Sequence, residues 1–125
     1  MIFYLVSACR ADNTKADNER RTRFLRIAIV HGGGNALPVQ GMYQHQNGDT
    51  VVEDSFLVLG GDEETERLVL HLAEIEKQES ILRDTDGKGE LIFLSDGRVQ
   101  HLGTRTPGTH PSGWTKTVLG DFHYE

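Results

Sequence analysis

The chain has a single cysteine, Cys9, among its 125 residues, so no disulfide can form within it. That excludes the cross-linked scaffold of small secreted domains and points to a reducing, cytoplasmic setting. No apolar run approaches the roughly 20 residues of a membrane span. The apolar start, Met1 to Val6, lacks a basic n-region and meets Ser7 and Arg10 too soon for a signal peptide. A surplus of positive charge is also missing. Lys and Arg number 13 against 19 Asp and Glu, for a net charge of -6. A general nucleic-acid binder needs a basic face to release counterions, so neither nucleic acid nor membrane is expected as a partner.

Common catalytic signatures are missing too. Six histidines are scattered without HxxxH, HxH or Cys-His spacing, so no metal site is expected. Gly32-Gly33-Gly34 follows a helical pattern rather than a strand, and no Gly-Lys-Ser/Thr comes after it. It reads as a helix end, not a phosphate loop. Cys9 has no base partner in view and reads as a packed strand residue. Ser7 lies outside any Gly-x-Ser-x-Gly elbow and is either a polar strand end or a substrate contact.

Ordinary globular content remains, at 37% hydrophobic and 26% charged residues. Residues 2–8 read as a buried central strand. Thr14 is a candidate N-cap for a helix over residues 15–30, with Phe24, Leu25 and Ala28 as its apolar stripe. The Arg20-Arg21-Thr22-Arg23 cluster with Arg26 reads as a solvated, salt-bridged face beside Asp17 and Glu19. Strands are expected over 37–45 and 51–59, with Asn47-Gly48 as the hairpin turn. Asp62 caps a second helix over 63–77, built on Leu68, Leu72 and Ile75. Short strands follow over 80–83, 91–94 and 98–102.

The order βαββαβ with an extra C-terminal hairpin predicts a ferredoxin-like α+β sandwich in one domain, residues 1–103, followed by an extended tail over 104–125. Trp114 is positioned to pin that tail to the body or to a neighbour. Two helices on one sheet face leave the other face open, which predicts oligomerisation.

The hairpin carries the most chemistry. With a three-residue loop Tyr43 opposes Glu53; with a two-residue turn it shares a face with Asp54 instead. Either way a phenol and a carboxylate share a sheet face. A carboxylate within Val51 to Val58 is costly if buried unpaired, unless the strand is an edge and the side chain points to water.

The segment Phe3 to Arg10, the helix with Asn18, Arg20 and Leu25, the Gly41-Met42-Tyr43 strand, the Glu53 to Val58 strand and Gln78 to Leu82 together resemble the bacteriophage S-adenosylmethionine (SAM) lyases. The resemblance covers about the first three quarters of the chain. It implies a PII-like homotrimer with active sites at subunit interfaces. It also implies breakdown of SAM to methylthioadenosine and homoserine lactone without a cofactor, countering host restriction–modification. Carried over, Tyr43 and Glu53 are the catalytic pair, with Asp54 a rival for the carboxylate role. Ser7, Ala8, Asp54, Ser55 and Glu79 or Glu90 are substrate contacts. Two other readings compete: a non-catalytic PII-like binder of SAM or a nucleotide, and a phage protein that disables a host enzyme through the Arg20–Arg26 helix face or the C-terminal tail.

Overall fold

In a computed structural model, described over residues 1–44 and 48–125, eight antiparallel strands close into a barrel in the order β1-β3-β2-β7-β8-β6-β5-β4. The strands are β1 (Ile2–Ser7), β2 (Leu37–Gln44), β3 (Thr50–Gly60), β4 (Ser80–Thr85), β5 (Lys88–Phe93), β6 (Val99–Pro107), β7 (Gly113–Thr117) and β8 (Gly120–Tyr124). Helix α1 (Lys15–His31) lies between β1 and β2, and α2 (Glu63–Ile75) between β3 and β4.

The closed barrel overturns the ferredoxin-like sandwich. The first four strands do lie side by side as β4-β1-β3-β2, but the sheet does not end there. Residues 104–125, expected as a tail, supply the end of β6 and all of β7 and β8, which join β2 to β5. The prolines that argued against structure sit where strands tolerate them: Pro107 ends β6 and Pro111 lies in the connection to β7. Trp114 is the β7 partner of Met42 on β2. Closure also removes the open sheet face on which the expectation of oligomerisation rested.

The helices form for local reasons. Thr14 accepts the Asp17 N–H at 3.1 Å and Asp62 accepts the Thr65 N–H at 2.8 Å, each satisfying an otherwise orphaned donor. The first helix stops at Gly32, and Gly33 takes φ +90°, which suits glycine. Both helices pack on one face of β1, β3 and β4. Tyr4, Val6, Phe56, Val58 and Ile81 meet Leu25, Ile29, Val69, Leu72 and Ala73 there. Fully burying a valine, leucine, isoleucine or phenylalanine side chain contributes about 1.5–3 kcal/mol.

The opposite face is the barrel interior. Leu5 pairs with Leu57 and Leu82, and Leu82 with Leu91. Contacts across the barrel join strands that are not neighbours. Phe3 on β1 meets Phe122 on β8 edge-on at 6.0 Å. Asp84 on β4, with no solvent exposure, accepts from Tyr124 Oη at 2.8 Å and faces Arg105 Nη1 at 3.0 Å. Gly89 leaves room for this, since a Cβ there would come within 2.5 Å of the Tyr124 ring. One barrel end opens as an apolar cavity of about 760 Å³ bordered by Phe3, Leu57, Leu59 and Phe122, with Arg105 on its wall.

Candidate active site

The other barrel end holds Tyr43 and Glu53. Strand pairing sets Tyr43 opposite Val51 and Gly41 opposite Glu53. Both registers expected from the turn are therefore displaced, with Gln44 pairing with Thr50. His45 and Asn47, read as the end of a strand and as a turn residue, lie outside the described residues. The parity nevertheless puts Tyr43 and Glu53 on one face, with Asp54 on the other. Tyr43 reaches Glu53 diagonally, its hydroxyl donating to Oε2 at 3.3 Å. Gly41 makes this diagonal open: directly across from Glu53 there is no side chain. Partial burial pushes the Tyr43 phenol above its ordinary pKa, and the Glu53 charge and hydrogen bond push it the same way.

Two adjoining clefts of about 390 and 380 Å³ flank Glu53 and share a wall from Cys9, Arg10 and Ala11. Each falls within the size range of small-molecule sites. The first also takes in Asp12, Lys77, Gln78, Glu79 and Ser80, the second Asn18, Tyr43 and Val52. The shared wall is tied down from three sides. Asn18 accepts from the Arg10 N–H at 3.0 Å and donates to the Arg10 carbonyl at 3.1 Å. Gln78 donates to the Cys9 carbonyl at 3.1 Å. Arg10 forks onto Asp12 with two 2.8 Å contacts and donates to the Lys77 carbonyl at 2.6 Å. The Arg10 fork holds the Asp12 carboxyl below its usual range. Cys9 Sγ donates to the Asp54 carbonyl at 3.6 Å and lies 3.7 Å from the Thr22 hydroxyl.

The expected contact residues divide. Glu79 joins Glu53 in the first cleft. Glu90 borders neither cleft: it pairs with Arg83 at 3.3 Å, and Arg83 also holds Glu66 at 2.6 Å. Ser7 is buried, donating to the Asp54 carbonyl at 3.0 Å and accepting from the Cys9 N–H at 3.0 Å. Ala8 is a fully buried core residue. Asp54 borders the second cleft and a separate groove beside α1, and Ser55 borders that groove alone of these spaces. Sequence reasoning assigned no site role to Gly41, Arg10, Asp12 or Gln78. A glycine within an otherwise regular strand was the available signal for the first. For the others, only their place at the C-terminal end of a central strand and just after α2 pointed to the site.

Each cleft is partly open and bordered by three carboxylates and two cations, Arg10 with Lys77 in the first and Arg10 with Lys15 in the second, and this net negative lining suits a cationic small molecule. No curated protein matches the chain. The model of the S-adenosylmethionine lyase family matches residues 4–124, well beyond the first three quarters of the chain that carry the resemblance. The chain belongs to the S-adenosylmethionine lyase family, and is a lyase that acts on SAM.

Proposed function

We propose that this lyase converts SAM to methylthioadenosine and homoserine lactone in a single intramolecular displacement. The substrate's carboxylate oxygen attacks its own γ-carbon, and the C–S electron pair leaves with sulfur, neutralising the sulfonium. Nucleophile and leaving group both belong to the substrate, so the step balances without water, a proton donor or a cofactor. The enzyme's task is to hold the methionine arm curled, and such positioning supplies several kcal/mol.

The hydrogen-bonded Tyr43–Glu53 pair in an acidic cleft carries this reading. Glu53 binds the substrate ammonium, whose charge does not change along the reaction. A carboxylate set against the sulfonium would stabilise the ground state and slow its discharge, so the pairing with the ammonium is the productive one. Tyr43, its hydroxyl oriented by Glu53, fixes the methionine arm. Glu79 takes the ribose hydroxyls, and the adenine lies along the loop backbone just past Ser7 and Ala8.

The working assembly is a homotrimer with these clefts at subunit interfaces. Besides the family resemblance, Val52 is 52% and Tyr43 38% exposed at the cleft rim, a partly apolar surface that a second copy would cover. In an infected cytoplasm the reaction would deprive restriction–modification enzymes of their methyl donor. Purified protein incubated with SAM alone should yield methylthioadenosine and homoserine lactone in equal amounts. Homoserine in place of the lactone at the earliest times would instead identify water as the nucleophile.

A further inference from the structure

Helix α1 covers the outer face of β3 but not that of β2 and β7. A groove of about 530 Å³ remains between the helix and the sheet. Register lays Asp54, Gln40 and Lys116 in one row across β3, β2 and β7, with Phe56 beside Pro38 in the next. Arg23 and Arg26 form the helix wall.

The charges here are unbalanced. Arg20 pairs with Asp17 at 2.8 Å and Arg21 with Glu76 at 3.3 Å, as a salt-bridged face requires. Arg23, Arg26 and Lys116 have no ion pair among the described residues. The one carboxylate on the groove, Asp54, takes the Gln40 amide at 3.3 Å. Three cations against one anion line the groove, and with Asp121, the β8 residue opposite Lys116, the local formal charge is still +1 in a chain of net charge -6. Like charges converging on a groove with low-dielectric walls create a field that an anion relieves.

We propose that this groove binds a small organic phosphate monoester with a flat, apolar body. Two arginines on one wall suit a phosphate, whose oxygens match the guanidinium fork, and Lys116 adds a third cation from the sheet. Pro38 and Val118 supply apolar surface for the body, over the buried edge of Phe56. The volume fits a small molecule. The site is distinct from the catalytic clefts: there carboxylates outnumber cations three to two, whereas here cations outnumber carboxylates. Asp54, on the rim of both, is the boundary between them.

The test uses 1-naphthyl phosphate as probe, with 1-naphthol and inorganic phosphate as its separated halves, followed by calorimetry and backbone amide NMR. Each half should bind at least tenfold more weakly than the whole. Amide shifts should centre on Thr22, Arg23, Arg26, Gln40 and Lys116. The Arg23→Gln/Arg26→Gln double variant should weaken binding at least tenfold. Lys116→Gln, on a different element, should weaken it at least threefold, which keeps the test independent of any damage to the helix. Naphthol binding as tightly as its phosphate, undiminished binding by both variants, or shifts centred on Phe3 and Phe122 at the barrel mouth would each overturn the assignment.

Discussion

Tyr124 on β8 donates its phenol hydrogen to the buried Asp84 carboxylate on β4, two strands that are not neighbours in the barrel. With Arg105 on β6 as a further partner, and the Gly87 N–H of its own turn at 2.9 Å, Asp84 ties the C-terminal strands to the N-terminal sheet through the interior. Tyr124→Phe keeps the ring against Gly89 and removes the donor, and should cost about 1–3 kcal/mol. Asp84→Ala leaves both Tyr124 and Arg105 facing inward without their carboxylate, and should cost about 3–5 kcal/mol. Urea unfolding of the three proteins measures both. Equal stability of all three would show that the barrel closes without this cross-tie.

The same phenol sets an alkaline limit. Burial pushes the Tyr124 pKa far above its ordinary value near 10, and the Asp84 hydrogen bond and charge add to this. In the unfolded chain it ionises near 10 while the native phenol keeps its proton. Its contribution is therefore complete below about pH 10 and is lost as pH rises beyond it. Unfolding free energy should fall above pH 10 in the native sequence, and more gently in Tyr124→Phe. Parallel slopes would remove Tyr124 as the cause.

Local and long-range information separate clearly in this chain. The caps at Thr14 and Asp62 involve neighbours three residues apart, and both helices can be read from sequence. Alternation in β3 puts Glu53 and Asp54 on opposite faces, but which of them joins Tyr43 depends on a connection whose length no dipeptide signal fixes. The barrel is less legible still. β7 and β8 are five residues each, and the contact that links β8 to β4, Tyr124 reaching Asp84 across the interior, joins residues 40 positions apart. Gly89 and Tyr124 are 35 positions apart in the chain, and nothing in either's immediate surroundings announces that one makes room for the other. Glu79 and Glu90 look equivalent as isolated carboxylates. The fold separates them, setting Glu79 on the first cleft and Glu90 against Arg83.

The face assignment makes Glu53 and Asp54 experimentally distinguishable. Tyr43→Phe and Glu53→Gln should each lower kcat/KM for SAM at least tenfold with the fold retained, read by methylthioadenosine release and circular dichroism. Asp54→Asn should have a smaller effect than Glu53→Gln, since its side chain belongs to the opposite sheet face. The reverse order would return the carboxylate role to Asp54. Because the Glu53 charge helps raise the Tyr43 pKa, Glu53→Gln should also lower the tyrosinate titration assigned to Tyr43, by difference against Tyr43→Phe.

Asn18, on the border of the second cleft, positions the loop that forms the shared wall. Its side chain both accepts from and donates to the Arg10 backbone, and also accepts from Asn13 Nδ2 at 3.2 Å. Asn18→Ala removes these bonds from a part-buried loop. It should cost about 1–3 kcal/mol and speed amide hydrogen exchange at residues 9–13. If the loop is what shapes the site, KM for SAM should rise more than kcat falls. Unchanged exchange at Arg10 would show that Gln78 and Asp12 hold the loop unaided.

Gly41 gives the sharpest separation of fold from function. It lies directly across from Glu53, and a Cβ built there meets nothing closer than the Glu53 carbonyl at 3.7 Å, an ordinary contact. Gly41 does not have the positive φ that would bar other residues. A larger side chain is therefore compatible with the strand, and replacing glycine by valine in β2 should leave stability unchanged or raise it by about 0.5–1 kcal/mol, through lower unfolded-state entropy and higher strand propensity. The same side chain would occupy the space between Glu53 and the diagonal Tyr43, where the substrate's ammonium is held. Gly41→Val should thus melt at or above the native temperature while losing at least tenfold in kcat/KM, and Gly41→Ala should fall between. Full activity in Gly41→Val would mean that the open place across from Glu53 is not where the substrate binds.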